Sequence, residues 1–194
     1  MKETSLNRRT PERIAALRLT TFGLIIASLA IIGVACGSSG DTDPAFSKIQ
    51  QLDDRVVSIT NFEGNRFKRV KEYDVSELPD ASAAYLVYFT PSDSEPVQFE
   101  IRVYPDFETV MRSGVGYAAE VTGEDAMLRS ADVRWDVGTK DRRGGGAFRG
   151  QLTPLYGDYA VVGNVIMLCE GRDSAQALER CAALLVAARI TDED

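Results

Sequence analysis

The sequence predicts an α+β domain, a mostly antiparallel sheet with two or three helices packed on it. Strand-like runs follow one another through tight turns instead of alternating with helices, which favours hairpins over βαβ units. Val97 to Tyr104 has a clean period of two and follows the aromatic and β-branched run Ala84 to Phe89 across a Pro/Ser/Asp turn. Two later segments, after Asp106 and after Asp173, carry apolar residues at helical spacing.

Taken in order, Arg55 to Thr60 has strand composition and Glu63-Gly64-Asn65 reads as a turn. Arg66 to Leu78 is expected to be extended. Ala84 to Phe89 and Val97 to Tyr104 form a hairpin closed by Pro91 to Pro96. In its second strand Val97, Phe99, Ile101 and Val103 are expected inward, and Gln98, Glu100, Arg102 and Tyr104 toward water. Asp106 caps a helix whose apolar positions are Phe107, Val110, Met111, Gly114, Ala118 and Val121. Gly114 and Gly116 weaken its middle and predict a break there, and Thr122-Gly123 ends it.

Ala131 to Val137 alternates through Val133, Trp135 and Val137 and predicts a strand. Lys140 to Gly150 reads as a loop. Tyr159 to Cys169 is the most apolar stretch beyond residue 40 and predicts one central strand covered on both sides, with Val161, Val165 and Met167 on one face and Val162, Ile166 and Leu168 on the other. Gly171-Arg172 turns the chain, and Asp173 with Gln176 three residues on predicts a capped last helix. Ala177, Leu178, Cys181, Leu184, Leu185 and Ala188 form its stripe.

The N-terminus carries a different message. Lys2, Arg8, Arg9, Arg13 and Arg18 precede an apolar run from about Phe22 to Ala35, and no charge occurs from Leu19 to Gly40. A positive start, a short apolar run and a small-residue cleavage point have the order of a secretory signal. The run is shorter than the roughly 20 apolar residues a spanning helix needs. Val34-Ala35-Cys36 resembles the bacterial lipobox, with Gly33 where that motif usually has Leu. The resemblance implies cleavage before Cys36 and thioether attachment of diacylglycerol to its thiol, with fatty acid such as palmitate in the anchor. The alternative is an uncleaved spanning helix with an incidental cysteine. Gly37 to Pro44 then tethers the domain within about 15–17 Å of the bilayer. The expected organisation is a signal peptide at 1–35, lipidated Cys36 and a tether at 36–54, and a single α+β domain at 55–194.

Charge and missing residue types narrow the function. The chain carries 22 Lys and Arg against 29 Asp and Glu, a net charge of −7. Residues 1–35 hold five positive and two negative charges, so the remaining 159 residues carry 17 against 27, or −10. An acidic domain is a poor general nucleic-acid binder. The chain has no histidine, which removes Ser-His-Asp and Cys-His nucleophiles and His-based zinc sites. With Cys36 given to lipid, Cys169 and Cys181 remain, either as one disulfide or as two buried thiols.

Three blocks resemble a family of uncharacterised bacterial lipoprotein domains. They are Tyr117 to Ala126, Tyr156-Gly157-Asp158-Tyr159 and Gly163 to Gly171. The resemblance spans about Val56 to Ile190, implies an exported single domain and carries no catalytic or binding residues.

The best candidate for ligand contact is the loop at 139–150. Its glycines Gly144, Gly145 and Gly146 bring backbone N–H groups toward an anion, beside Lys140, Arg142, Arg143 and Arg149. It lacks P-loop spacing. Arg66, Lys68, Arg69 and Lys71 form a basic run open to lipid headgroups or to water. Glu120, Glu124, Asp125 and Glu170 are too loosely spaced for a metal site, and no calcium-loop pattern occurs. Glu100 and its neighbours are the only hint of a carboxylate pair, and Trp135 is read as packing or as a sugar platform. The expectation is a non-enzymatic envelope lipoprotein without cofactor, held to the cell membrane or outer membrane by its lipid and acting on an envelope protein or small ligand. The alternative is a binder of a small anionic solute through the loop at 139–150.

Overall fold

A computed structural model describes residues 46–190 except 54, 65, 92–93 and 145–151. The expected export segment, Cys36 and the first part of the tether lie outside the described residues, as do Gly145, Gly146 and Arg149. The described residues belong to one compact unit, Thr42–Asp194.

Eight strands are present among the described residues: β1 (Ile49–Gln50), β2 (Phe67–Tyr73), β3 (Ala83–Phe89), β4 (Val97–Val103), β5 (Arg143–Gly144), β6 (Thr153–Pro154), β7 (Tyr156–Val162) and β8 (Val165–Glu170). Six form one sheet in the order β1-β7-β8-β4-β3-β2, and β5 pairs with β6 separately. Every pair in the large sheet is antiparallel except β1 with β7, so the sheet is mixed. The parallel strand comes from residues expected to be tether: Ile49 lies beside Val161, and Phe46 packs against the core.

The expected β3–β4 hairpin is present, with Tyr85 opposite Ile101 and Val87 opposite Phe99. β2 fills the segment expected to be extended and forms an edge rich in Lys68, Arg69 and Lys71. A bulge between Arg69 and Lys71 and this row of charge blunt the edge against further strand pairing.

Four expectations fail. The apolar stretch Tyr159 to Cys169 is a hairpin of two strands, β7 and β8, in which Val162 pairs with Val165 across Gly163-Asn164. Gly163 supplies the positive φ of 54° that the turn needs. The fold-back reverses the expected facing: Val162 joins Val165 and Met167, and Val161 joins Ile166 and Leu168. The expected strand at 55–60 ends instead in a 3-10 turn, Ile59–Phe62. Asn61 Oδ1 accepts the Ser58 N–H at 2.8 Å, while Asn164 bonds both backbone groups of Val57 in place of a ladder. Ala131 to Val137 is not a strand: residues 120–138 form neither helix nor strand. The last concerns the expected wet face of β4, where Gln98, Glu100, Arg102 and Tyr104 are all buried.

The first helical segment does break where its glycines lie. α1 (Phe107–Thr109), capped by Asp106, runs into a π-helical turn (Val110–Gly114) and then α2 (Val115–Ala119). An added Cβ on Gly114 would sit 2.7 Å from Tyr104 Cζ, so the wide turn lets the backbone lie directly on the sheet. α3 (Ser174–Ala187) begins at Asp173, whose carboxylate accepts the Gln176 N–H at 2.8 Å. Gln176 in turn accepts the N–H of Arg172, one residue before the cap.

The sheet is thus covered on both sides. One side packs α3 and the 3-10 turn on Tyr85, Val87, Phe99, Ile101, Met167 and Cys169. The other side packs α1, the π turn, α2 and the irregular strap 120–138 on Tyr104, Ile166, Leu168, Ala84 and Leu86.

Candidate functional site

Beneath the strap, alternate residues of β4 place a polar row inside the protein. Glu100 and Arg102 have no solvent exposure and Arg142 retains 1%. Arg142 arrives from the 3-10 turn Thr139–Arg142 and grips Glu100 in a fork, Nε to Oε2 at 2.7 Å and Nη2 to Oε1 at 3.1 Å. Arg102 Nε donates to Glu100 Oε1 at 2.7 Å. Both guanidinium carbons stand over the Trp135 ring, 4.9 Å from its centroid for Arg102 and 4.6 Å for Arg142. Trp135 is therefore an interior platform for cations and is not exposed to a sugar.

The row continues along β4. Gln98 accepts the Tyr88 hydroxyl at 2.8 Å, and its amide donates to the Asp141 carbonyl at 2.8 Å and to the Tyr156 hydroxyl at 2.9 Å. Burial alone would raise the Glu100 carboxyl, but Arg142 and Arg102 outweigh it and hold Glu100 below the ordinary carboxylate range. Arg142 is raised against burial by the same Glu100 charge. Burial, reinforced by Glu100, pushes the Tyr73 and Tyr156 phenols up, and burial pushes Tyr104 up to about 12. Glu100 has both oxygens engaged and no solvent exposure, so it does not serve as half of a hydrolytic carboxylate pair.

At the end of the row Glu170 connects this interior to the surface. Its Oε2 accepts the Gln98 N–H at 2.8 Å. Glu170 lines a cleft of about 720 Å³, within the size range of small-ligand sites. The cleft lies at the start of α3, between residues 170–180, Thr153, Pro154, Leu155 and Gly157 of β6, β7 and the bend between them, and Gly123-Glu124 of the strap. Its floor is backbone on backbone. An added Cβ on Gly157 would collide with the Asp173 carbonyl oxygen, and one on Gly171 would lie 2.7 Å from the Ala177 nitrogen.

The two cysteines staple this cleft. Cys169 and Cys181 form a disulfide with Cα atoms 5.8 Å apart. Glu170 directly follows the first cysteine and Arg180 directly precedes the second. Arg180 donates to the Glu170 carbonyl at 2.9 Å and lies 3.5 Å from its carboxylate. All seven lining residues from the α3 region, Glu170, Gly171, Arg172, Asp173, Ser174, Gln176 and Arg180, fall inside the disulfide-closed ring. Asp173 spends one oxygen on the helix cap, which lowers its pKa, and the other faces Arg172 at 3.3 Å.

The loop expected to bind an anion is divided by the fold. Arg142 is withdrawn into the core, because its charge is needed opposite Glu100, and it is not available to a solute. Arg143 donates to the Leu128 carbonyl at 2.6 Å, and Gly144 pairs with Thr153 in the small β5–β6 sheet. Lys140 is exposed. In the basic run, Lys71 meets Asp141 at 3.1 Å and Arg69 stands over Tyr85. Glu120 binds the Arg134 backbone at 2.7 Å and its guanidinium, so it serves the strap. Among the described residues no group of three or more His, Cys, Asp or Glu is placed to hold a metal ion. No described helix is long and apolar enough to cross a membrane. Sequence reasoning missed the cleft because its lining comes from three separated segments. The signal within reach was that Glu170 and Arg180 each flank a cysteine.

No curated protein and no solved structure matches the chain. A family model does match, over residues 58–189, and on that match the chain belongs to DUF6810, a family of unknown function.

Proposed function

We propose that this protein is an exported, lipid-anchored envelope protein whose domain binds a partner molecule and performs no chemistry of its own. The lipobox-like Val34-Ala35-Cys36 supports the anchor. The Cys169–Cys181 disulfide supports an oxidising compartment, since such bonds are rare in reducing cytosol. The observation that carries the binding role is the stapled cleft: most of its wall is a single covalent ring that holds charged and polar groups in fixed places around an open volume. A preorganised wall loses little entropy on binding.

The occupant is a small polar solute or a short side-chain-sized part of an envelope protein, held between Arg172, Gln176 and Glu124 at the rim. The test is a thermal-unfolding screen of solutes on the full chain, repeated on an Arg172→Ala/Gln176→Ala double variant. Stabilisation of the wild type that is lost in the variant supports the cleft. No stabilisation by any solute, or stabilisation that persists in the variant, removes it. The anchor is tested separately: labelled palmitate should enter the wild type and not Cys36→Ser.

A further inference from the structure

Two guanidinium groups and one carboxylate lie together in the interior, all at 1% exposure or less. That leaves one positive charge uncompensated among them. Two carboxylates on the same side are committed elsewhere: Asp141 Oδ2 accepts the Tyr73 hydroxyl at 2.9 Å and faces Lys71, and Asp80 Oδ2 accepts the Ser113 hydroxyl at 2.6 Å. Arg142 is fully used, since beyond Glu100 it donates to the carbonyls of Trp135 and Val137. Arg102 is not. Its Nε binds Glu100, but Nη1 and Nη2 have no partner among the described residues. The other two buried side-chain atoms in that condition, Tyr104 Oη and Trp135 Nε1, can also donate and belong to the side chains next to Arg102.

We propose that Arg102 is the centre of a buried binding site for one small monoanion of halide size. The charge decides between occupants. A water molecule would satisfy donors and leave the interior positive, whereas a monoanion satisfies the donors and brings the cluster to neutrality. A divalent anion would overshoot the charge, and the guanidinium is sealed from solvent, which favours a small occupant. Trp135 contributes its ring face to the cation and so cannot stand in for the missing negative charge in full. The route in is the strap 120–138, which covers the row without regular secondary structure and is held by isolated bonds such as Gly123 N–H to the Tyr156 carbonyl at 3.0 Å. This site is separate from the stapled cleft and does not depend on it.

The test uses the full chain and two halides. In crystals grown with bromide, an anomalous peak within hydrogen-bond distance of Arg102 Nη1 or Nη2 is the expected result. In solution, gluconate is replaced stepwise by chloride at constant ionic strength. The Tm should rise saturably, by roughly 5–10 °C at a hundredfold excess over Kd. The rise should vanish in Arg102→Met. Should that variant not fold, Trp135→Phe keeps the ring, loses the indole N–H and should weaken halide affinity severalfold. No anomalous density at Arg102, together with a Tm indifferent to halide, overturns the site and assigns its donors to buried water.

Discussion

The two faces of the sheet are built on opposite principles. The α3 face is apolar throughout, with Val87, Phe99, Ile101 and Met167 meeting Ala177, Leu184 and Leu185 of the helix, and a disulfide closes it. The strap face buries an ion cluster, three tyrosine hydroxyls and a tryptophan under a segment with no regular structure. Apolar burial tolerates loss of detail, because its energy scales with area and any close-packed arrangement recovers most of it. Charged burial is all or nothing: each group must find its partner or the whole cluster becomes a cost. The strap needs no helix of its own, because Arg142 and Trp135 locate it through bonds that only one placement satisfies.

The largest effect should come from breaking that cluster with one atom's charge. Glu100→Gln removes the carboxylate that Arg102 and Arg142 share and should cost about 3–5 kcal/mol in denaturant unfolding. The comparison is sharpened by Glu100→Leu/Arg102→Met/Arg142→Met, which removes all three charges together. It should stay within roughly 1 kcal/mol of the wild type or exceed it. If the triple variant is as unstable as Glu100→Gln, the ion cluster stabilises the fold outright and does more than select one placement of the strap.

The same cluster sets the acid limb. Glu100 has a depressed folded pKa, so its contribution is fully present above its unfolded value of about 4.3 and is lost as pH falls through the folded value. The stability gap between wild type and Glu100→Gln should therefore narrow below pH about 4. A gap that stays constant down to pH 2 would show that folding does not lower the Glu100 pKa.

On the α3 face the matching break is Cys169→Ser/Cys181→Ser. Opening a ring of this size should cost roughly 3 kcal/mol, close to the prediction for the other face but with a different signature. The loss should carry no pH dependence of its own. Protease cutting should increase within 170–180, the wall of the cleft, while the strap stays protected.

What was legible in the sequence follows the same division. The β3–β4 hairpin, the break at Gly114, the Asp173 cap and the α3 stripe all rest on local period or local chemistry, and all are present. The disulfide was open between two alternatives, and its geometry is supplied by β8 and α3 packing together. The β7–β8 turn was missed although Gly163-Asn164 is a hairpin signal, because the apolar run on both sides concealed it. The burial of Glu100 and Arg102 was not legible at all. A period of two with polar residues on one face means a wet face unless something covers it, and the cover is the later segment 120–138, which forms neither helix nor strand. Arg142 was misplaced for the same reason: in sequence it belongs to a glycine-rich basic loop, and only its partner on β4 shows that it points inward.

The smallest effect should come from the helix start that both the disulfide ring and the cleft share. Asp173 accepts the Gln176 N–H, and Asp173→Ala should cost about 1 kcal/mol, the usual worth of such a cap. Asp173→Asn separates two contributions. Asparagine keeps the hydrogen bond to Gln176 and removes the charge that faces Arg172 in the cleft wall. If it holds stability near the wild type while Arg172 becomes more mobile, the residue stabilises the helix by capping and orients the rim by charge. If Asn costs as much as Ala, the charge at the helix start is what stabilises α3, and the contribution should then fade with added salt.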